Sequence, residues 1–303
     1  MQELFLVSNQ PLAANPGFRS RGDGRSVWEG MTAFLLVLLA GYAGAQLPDV
    51  HEIMQRVAWN QAKTEDAREQ FLYHQKQTVR LHRANGKLVR EEYREYDVTP
   101  TPRGIQCELI AVQGRYAAND DYVSYDEPQA DGDGIIDGVD SGLVEGFSEA
   151  LMREPDSRDG IANNLFPLTY HQQLKYRFTL MGEETHRGRR VFRVAFEPKS
   201  HSDWKGETLI DATEYQPVFV TTKMAQGIPL VVKTLLGSNV KGLGFSVSYE
   251  KFANGVWFPV SYGGEFELRV LFFYKRTISI SLVNSNFQHV DVSSHVRYSA
   301  ETQ

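Results

Sequence analysis

The chain has 303 residues, which is enough for one large domain or two modest ones. Hydrophobic residues make up 42% of it and charged residues 23%, a composition that is ordinary for a soluble globular protein. The net charge of −6 argues against a nucleic-acid-binding protein, because such a surface needs a dense basic patch to displace counterions from phosphates.

An apolar segment near the N-terminus predicts export. Met31–Ala40 is uncharged and apolar, and Ala43-Gly44-Ala45 matches the A-x-A pattern that signal peptidase accepts. The apolar stretch of about 15 residues is too short to cross a bilayer core of roughly 30 Å at a helical rise of about 1.5 Å per residue. We therefore expect residues 1–45 to be a signal or targeting segment with no transmembrane anchor, and the mature protein to be periplasmic or secreted. The alternative is a membrane anchor.

A helix and three long strands are predicted to follow. Apolar residues recur at helical spacing within 48–65, which predicts a surface helix with one apolar stripe and with Pro48 in its first turn. The stripe consists of Val50, Ile53, Met54 and Val57. The strand candidates are 70–81, 88–98 and 104–112. Asn85-Gly86 predicts a type I′ hairpin turn between the first two strands, since both central residues of that turn need positive φ.

The stretch 117–160 differs from its surroundings, because it is rich in Asp, Glu and Gly and carries little strand pattern. Within it, 143–153 (LVEGFSEALMR) has the pattern of a short amphipathic helix. We predict that this stretch is an acidic insertion or lid between two sheet-forming halves of a single β domain, residues 46–303.

Strand patterns return after residue 175. The candidates are 176–180, 190–196, 208–211, 217–223, 245–252, 258–261, 266–274 and 277–283. Turns are predicted around Gly188 and at Asn254-Gly255. Short strands separated by turns, without regular alternation of strands and helices, predict a mainly β protein with one continuous antiparallel sheet or open barrel.

One segment near the C-terminus is apolar on both faces if it forms a strand. Val270–Tyr274 reads VLFFY, whereas a strand with one buried face would alternate apolar and polar residues. We expect the core on one side of it and a helix, a partner or a ligand on the other. A sheet core that is buried on both sides is the alternative.

An acidic repeat in the insertion resembles a calcium-binding loop. In the EF-hand register, Asp131, Asp133 and Asp137 fall at loop positions 3, 5 and 9, and Asp140 falls at position 12. Position 1 is Gln129, where a carboxylate is expected, and position 12 is usually the longer Glu. A calcium site at these four aspartates and a solvated acidic loop are therefore the two alternatives, and no other cofactor is expected.

The sequence contains no recognisable enzyme site. The segment 146–150 (GFSEA) lacks the final Gly of the nucleophile-elbow motif and the parallel sheet that the motif requires. The eight histidines form no H-E-x-x-H motif, and no P-loop or CxxC pattern occurs. The single cysteine, Cys107, fits a buried inert thiol better than a nucleophile. We therefore predict that the chain is not an enzyme.

Two segments resemble the LolA/LolB-like superfamily of periplasmic lipoprotein carriers and their outer-membrane lipoprotein-sorting relatives. Thr208–Val218 (TLIDATEYQPV) resembles a strand-turn-strand that recurs in the family, and Gly255–Pro259 (GVWFP) resembles a later strand entry. The order of predicted elements over 48–300 also resembles that of the family. More narrowly, the chain is similar to secreted proteins of the acidobacterial type.

The resemblance implies an open, strongly curved antiparallel sheet, or incomplete barrel, with an N-terminal helix and a short helical lid. It also implies a non-enzymatic carrier that holds a lipid or lipoprotein acyl chain in a concave apolar groove. The residues expected to line the groove are Phe71, Tyr73, Phe147, Leu151, Met152, Val194, Phe196, Phe219 and Phe272. The alternatives are a structural or sensory envelope module that docks a protein partner and is ordered by calcium, and an envelope hydrolase.

Overall fold

The computed structural model describes residues 47–101, 104–128, 135–152, 166–200, 204–224, 239–252, 255–270 and 274–290. The predicted targeting segment lies outside these residues and stays a prediction. The helices are α1 (Val50–Arg68), α2 (Ile135–Met152) and α3 (Tyr170–Gln173). The strands are β1 (Phe71–His82), β2 (Leu88–Thr101), β3 (Gly104–Ala118), β4 (Asp121–Tyr125), β5 (Tyr176–His186), β6 (Arg189–Pro198), β7 (Trp204–Asp211), β8 (Pro217–Met224), β9 (Asn239–Lys241), β10 (Gly244–Lys251), β11 (Trp257–Val270) and β12 (Tyr274–His289). In this part of the chain, no helix combines the length and the apolar content needed to span a membrane.

All twelve strands belong to one antiparallel sheet. Its order is β4-β3-β2-β1-β12-β11-β10-β8-β7-β6-β5, and β9 pairs with β11. Nearly all neighbouring strands in the sheet are also consecutive in the chain. The main exception is β1, the first strand of the chain, which pairs with β12, the last. Among the described residues the end strands β4 and β5 do not pair with each other, so the sheet is open. This confirms the predicted fold class, a mainly β protein with an open antiparallel sheet and few helices.

The helix α1 forms where the apolar stripe predicts it, but it starts later. Asp49 is the N-cap, and its carboxylate accepts a hydrogen bond from the His51 amide at 3.0 Å. The helix begins at Val50, so Pro48 precedes the cap and does not occupy the first turn. Three members of the predicted stripe are at most 2% exposed: Ile53, Met54 and Val57.

The hairpin between β1 and β2 has a different turn from the predicted one. Gly86 has a φ of 80°, but Asn85 is not among the residues with positive φ. The Gly86 amide donates to the Arg83 carbonyl at 2.9 Å, which fits a type I turn followed by a left-handed glycine. The type I′ pattern occurs instead between β5 and β6, where Arg187 and Gly188 have φ values of 48° and 78°.

Two strand boundaries near the C-terminus correct the sequence prediction. β11 runs unbroken through Gly263 and Gly264, where two separate strands were expected. A Cβ on Gly264 would lie 2.4 Å from the Gly244 carbonyl oxygen, so glycine permits the close approach of β10. Val270 ends β11 and pairs with Tyr274, which begins β12. Val270 and Tyr274 therefore belong to two paired strands rather than to the one predicted strand, and the sequence 270–274 contains no turn residue that predicts this.

The insertion contains more regular structure than its composition predicts. β3 continues to Ala118, and β4 pairs with its last residues. α2 begins at Ile135 rather than at the predicted Leu143. Asp and Gly favour helices weakly, so the first turns of α2 carry no helical signal in the sequence.

Buried apolar side chains form two clusters. The main core joins side chains of α1 and α2 to side chains of β1, β2, β5–β8 and β10–β12. Examples from five strands, each at most 1% exposed, are Val79, Val194, Val220, Leu268 and Ile278. The small core consists of Tyr73, Tyr96 and Val98, with Ile105, Cys107 and Phe287 packed against it. Both long helices therefore pack on the same apolar cluster.

Candidate functional site

The helix α1 rests on the turn between β7 and β8, which we call the α1 seat (residues 211–216). The Asp211 carboxylate accepts hydrogen bonds from the amides of Thr213 and Glu214 at 2.9 and 2.8 Å. Tyr215 has a φ of 53°, which is unusual for a bulky residue and costs conformational energy. The surrounding hydrogen bonds hold this strained turn in place. The turn lies inside the segment that carries the family resemblance.

Neutral hydrogen bonds join α1 to this seat. Asn60 Nδ2 donates to the carbonyl oxygens of two turn residues at 2.8 and 3.1 Å. Gln61 Nε2 donates to Gln216 Oε1 at 2.7 Å, and Gln216 Nε2 donates to Thr64 Oγ1 at 2.9 Å. The amide of Gln216 therefore uses both its acceptor and its donor on α1.

The helix α2 lies against β1, β2, β11 and β12, and we call the side chains of α2 and of these strands that meet at this contact, together with Gln75 of β1, the α2 seat. Its first turns are held by a buried ion pair. Both carboxylate oxygens of Asp140 accept from the Arg276 guanidinium, at 2.9 and 2.8 Å, and the Tyr274 hydroxyl donates to the same carboxylate. The side chains of Asp140 and Arg276 are 2% and 9% exposed. Burial, with the Asp140 carboxylate beside it, raises the pKa of the Tyr274 phenol.

A second charged group lies at β2. The Arg94 side chain is 6% exposed and pairs with Glu92 at 2.6 Å and with Glu145 of α2. The Tyr125 hydroxyl donates to Glu92 at 2.8 Å and accepts from Arg90 Nε at 3.2 Å. Burial lowers the pKa of Arg94, but the hydrogen bonds to the two glutamates more than offset this and raise it above its ordinary value. The two arginines and two glutamates balance in charge.

Three polar atoms of the α2 seat have no hydrogen-bond partner among the described residues. They are Gln75 Oε1, Gln77 Oε1 and Ser148 Oγ, and each of these residues is 1% exposed. Gln75 Nε2 donates to Asn284 Oδ1 at 3.0 Å, and Gln77 Nε2 donates to the Ser148 carbonyl oxygen at 3.4 Å. Buried acceptors without a donor are costly, and an unpaired group in a native fold requires an explanation.

The apolar side chains of α2 differ in how deeply they are buried. Val144 is 1% exposed within the main core. Leu143 and Phe147 pack against that core while staying only half-buried. The Phe147 ring meets Phe266 edge to face, with 5.5 Å between the centroids. α2 therefore covers the main core with a mixed apolar and polar surface.

The structure distributes the predicted groove residues over several clusters. Val194 and Phe196 are in the main core, and Phe147 packs against it. Tyr73 belongs to the small core. Phe71 is buried and meets Phe258 edge to face at 5.0 Å. The structure does not bring all of these residues together, and a groove lined by them stays a prediction.

Of the other predicted groove residues, only the side chain of Phe219 is described, and it does not face the main core. Phe219 is half-buried, stacks on the His186 ring at 6.1 Å and alternates with Val220 of the main core, so it lies on the opposite face of β8. Phe219 is therefore one residue out of phase with the side chains of β8 that face the main core. Leu151 and Met152 lie in the last turn of α2, but their side chains, like the whole of Phe272, are outside the described residues.

The four aspartates of the calcium prediction are only partly described. Asp131 and Asp133 lie outside the described residues, and Asp137 is a residue of α2. The Asp140 carboxylate is occupied by Arg276 and Tyr274. Within the described part of the chain, no group of three or more His, Cys, Asp and Glu side chains is placed to hold a metal ion. Calcium binding by this loop stays a prediction.

The polar residues of the α2 seat were not predicted from the sequence. A signal for them exists, since Gln75 and Gln77 share strand parity with Tyr73, Val79 and Leu81 of β1. Two residues with neutral polar side chains in a run of alternate apolar ones predict buried amides. On β2 the consecutive residues Val89 to Glu92 are all buried, and three of the four are charged, so their sequence is typical of a solvated face.

Comparisons with known proteins give structural neighbours only. No family model matches the chain, and no curated protein matches it. It is similar to an outer-membrane lipoprotein-sorting protein domain from Vibrio parahaemolyticus, with 14% identity, a TM-score of 0.34 and coverage of 77% of this chain and 92% of the other. A DUF1329 family protein from Desulfovibrio piger has 11% identity, a TM-score of 0.38 and coverage of 82% and 96%. A LolA superfamily protein from Nitrosomonas europaea has 12% identity, a TM-score of 0.31 and coverage of 77% and 94%. With TM-scores this low, function has to be inferred from the residues of this chain.

Proposed function

We propose that the protein is a non-enzymatic periplasmic or cell-envelope protein that binds a lipid or a protein-linked acyl chain between α2 and the main core. The observation that carries the proposal is the α2 seat itself. It combines half-buried apolar side chains of α2, an extended apolar surface beneath them and buried acceptors that lack donors.

The apolar surface is wide enough for a chain-like ligand. The main core draws buried apolar side chains from seven strands that follow one another in the sheet, β6, β7, β8, β10, β11, β12 and β1. Strands lie about 4.8 Å apart, so seven strands span roughly 29 Å. Burying an acyl chain against such a surface contributes about 0.8 kcal/mol per CH₂ group and needs no special side chain.

The cover that yields to the ligand is α2 rather than α1. α1 buries its apolar stripe almost completely and is joined to its seat by short neutral hydrogen bonds. In α2, Leu143 and Phe147 remain half-buried, so part of their apolar surface is free to contact a ligand. A ligand that enters under α2 would exchange their contacts with the core for contacts with itself.

Native mass spectrometry of the full chain, expressed in bacteria and followed by organic extraction, tests the proposal. We expect a co-purifying lipid or acylated species, and we expect the variant Phe147→Glu to lose it because a charge would then face the ligand. Trp59→Glu is the matched control: Trp59 is 66% exposed on α1, so this variant should retain the lipid. Circular dichroism confirms folding, and Leu143→Asn serves as a milder second variant.

The opposite result is equally informative. An apo mass for the wild-type chain, together with no binding of fatty-acid probes, would refute the proposal. Retention of the lipid by Phe147→Glu would show that the ligand does not lie under α2. After an apo result, the remaining candidate would be an envelope module that docks a protein partner.

A further inference from the structure

We infer that the α2 seat selects a neutral hydrogen-bond donor, so that the preferred ligand is a lipid with a hydroxylated head group, such as a monoacylglycerol, rather than a fatty-acid anion. This inference rests on the proposed function and adds the chemistry of the head group. It stands on three buried polar atoms at the junction of β1 and α2.

The orientation of the Gln75 amide is fixed by its neighbours. Asn284 Nδ2 donates to the Pro259 carbonyl oxygen at 3.0 Å, so Asn284 Oδ1 must be the acceptor on its other side. Gln75 Nε2 donates to that oxygen at 3.0 Å. Gln75 Oε1 is thereby left as an acceptor, and a flip of the amide would place two oxygens against each other. Its unpaired state is a consequence of the network around it.

The Gln77 amide is fixed in the same way. Its Nε2 donates to the Ser148 carbonyl oxygen, which can only accept. Gln77 Oε1 therefore remains an acceptor, and among the described residues neither it nor Ser148 Oγ has a partner. Two carbonyl-type oxygens on alternate residues of β1 and one hydroxyl on α2, all on residues 1% exposed, thus lack a partner among the described residues.

The spacing of these atoms suits the hydroxyl groups of one head group. Gln75 and Gln77 lie on the same face of β1 and are two residues apart, which corresponds to about 7 Å along a strand. Hydroxyls on neighbouring carbons of a polyol can donate to both oxygens at hydrogen-bond lengths of about 2.8 Å. Ser148 Oγ can donate as well as accept, so it can bond a third polar atom of the same ligand.

The charges nearby disfavour an anionic head group. Gln77 pairs in register with Arg94, the nearest cation on β2, and Arg94 is already paired with Glu92 and Glu145. A carboxylate or phosphate would have to face two amide oxygens that can only accept. It would gain no unpaired cation and would lose its own hydration, so the neutral donor is preferred.

The test compares the affinities of the full protein for two probes with the same acyl chain, 1-monopalmitoylglycerol and palmitate. Each affinity is measured by displacement of a fluorescent fatty acid. We expect the glycerol ester to bind about tenfold more tightly, the effect of one to two net hydrogen bonds. Gln77→Leu should reduce this ratio about tenfold by weakening only the glycerol ester. Gln75→Leu and Ser148→Ala should each lower the ratio in the same direction, and they keep the test valid if Gln77→Leu does not fold.

Thr208→Val is the matched control, because Thr208 Oγ1 is also buried without a partner among the described residues but lies on β7, five strands from β1. It should leave the ratio unchanged. Equal binding of the two probes, or a ratio that the three α2-seat variants do not alter, would overturn the inference while the proposed function stands; the three atoms would then bind only water. Failure of both probes to bind would refute the proposed function itself.

Discussion

The helices α1 and α2 pack on the same apolar core, but the polar contacts at their two seats differ. At the α1 seat, Gln216 uses both ends of its amide on α1, and the strained Tyr215 turn is held by hydrogen bonds that the Asp211 carboxylate accepts. At the α2 seat, Gln75 and Gln77 each use only the donor end. Both helices add apolar side chains to one core, so the difference lies in the polar groups around it.

This difference distinguishes a structural contact from a binding surface. Acceptors that remain unpaired under α2 cost free energy in the absence of a ligand, and that cost is recovered when a donor arrives. No such gain is available to the Gln216 amide of the α1 seat, where both ends are occupied. The comparison therefore supports the proposal that α2 is the helix whose contacts a ligand would change.

The largest expected effect concerns the ion pair at the start of α2. Arg276→Leu leaves the buried Asp140 carboxylate without its cation, and we expect a loss of about 3–5 kcal/mol in the free energy of unfolding. Urea denaturation measures it. Arg193→Leu is the matched control at an ion pair whose side chains are 44% and 42% exposed, where the loss should stay below about 1 kcal/mol.

A double variant separates the charge from the packing. Asp140→Asn combined with Arg276→Leu should be more stable than Arg276→Leu alone, because no uncompensated charge remains buried. A double variant that is no more stable than the single one would show that the ion pair is not what anchors α2.

The second prediction makes the same substitution in both seats. Gln216→Leu removes the acceptor of Gln61 and a donor to Thr64, and we expect a loss of about 1–3 kcal/mol. Gln77→Leu removes one long bond of 3.4 Å together with an unpaired oxygen, so the change should be within about 1 kcal/mol and can be stabilising. Urea denaturation of the two variants compares them directly. Equal losses would remove the distinction between the seats.

The smallest expected effect is a pH dependence of the stability that arises from Glu91 of β2, outside both seats. Burial raises the pKa of Glu91, but hydrogen bonds from Tyr93 and Arg80 more than offset this and lower it below its ordinary value of about 4.5. A lowered pKa in the folded state means that ionised Glu91 stabilises the protein above about pH 4.5 and that this contribution disappears as the pH falls through the folded pKa.

Glu91→Gln tests this sign. The wild type should be more stable than the variant at pH 7 by at most about 1 kcal/mol, since Arg80 and Arg115 are partly exposed to solvent. The difference in urea midpoint should shrink between about pH 4.5 and pH 3. A constant difference over this range would show that the charge of Glu91 does not contribute.

Local signals predicted most strands but not where the apolar ones end. Gly188 and Gly255 mark real turns, because a left-handed backbone favours glycine. No such signal separates Val270, the last residue of β11, from Tyr274, the first residue of β12, and Gly263-Gly264 looks like a break although it lies inside β11. In the second case a close contact with β10, and not a turn, requires the glycine. The periodicity of apolar residues indicates which face of a strand is buried, but it does not indicate how closely a neighbouring strand approaches.

The sequence by itself determined the mainly β class, the amphipathic α1 and the positions of most strands, because these follow from local periodicity and turn residues. Only the tertiary structure decided that β1 pairs with β12, that Asp140 meets Arg276 and that Gln77 meets Ser148. These partners are far apart in the chain, and side chains that meet across such distances leave no periodic trace. The α2 seat was therefore not recognisable until the sheet had brought its residues together.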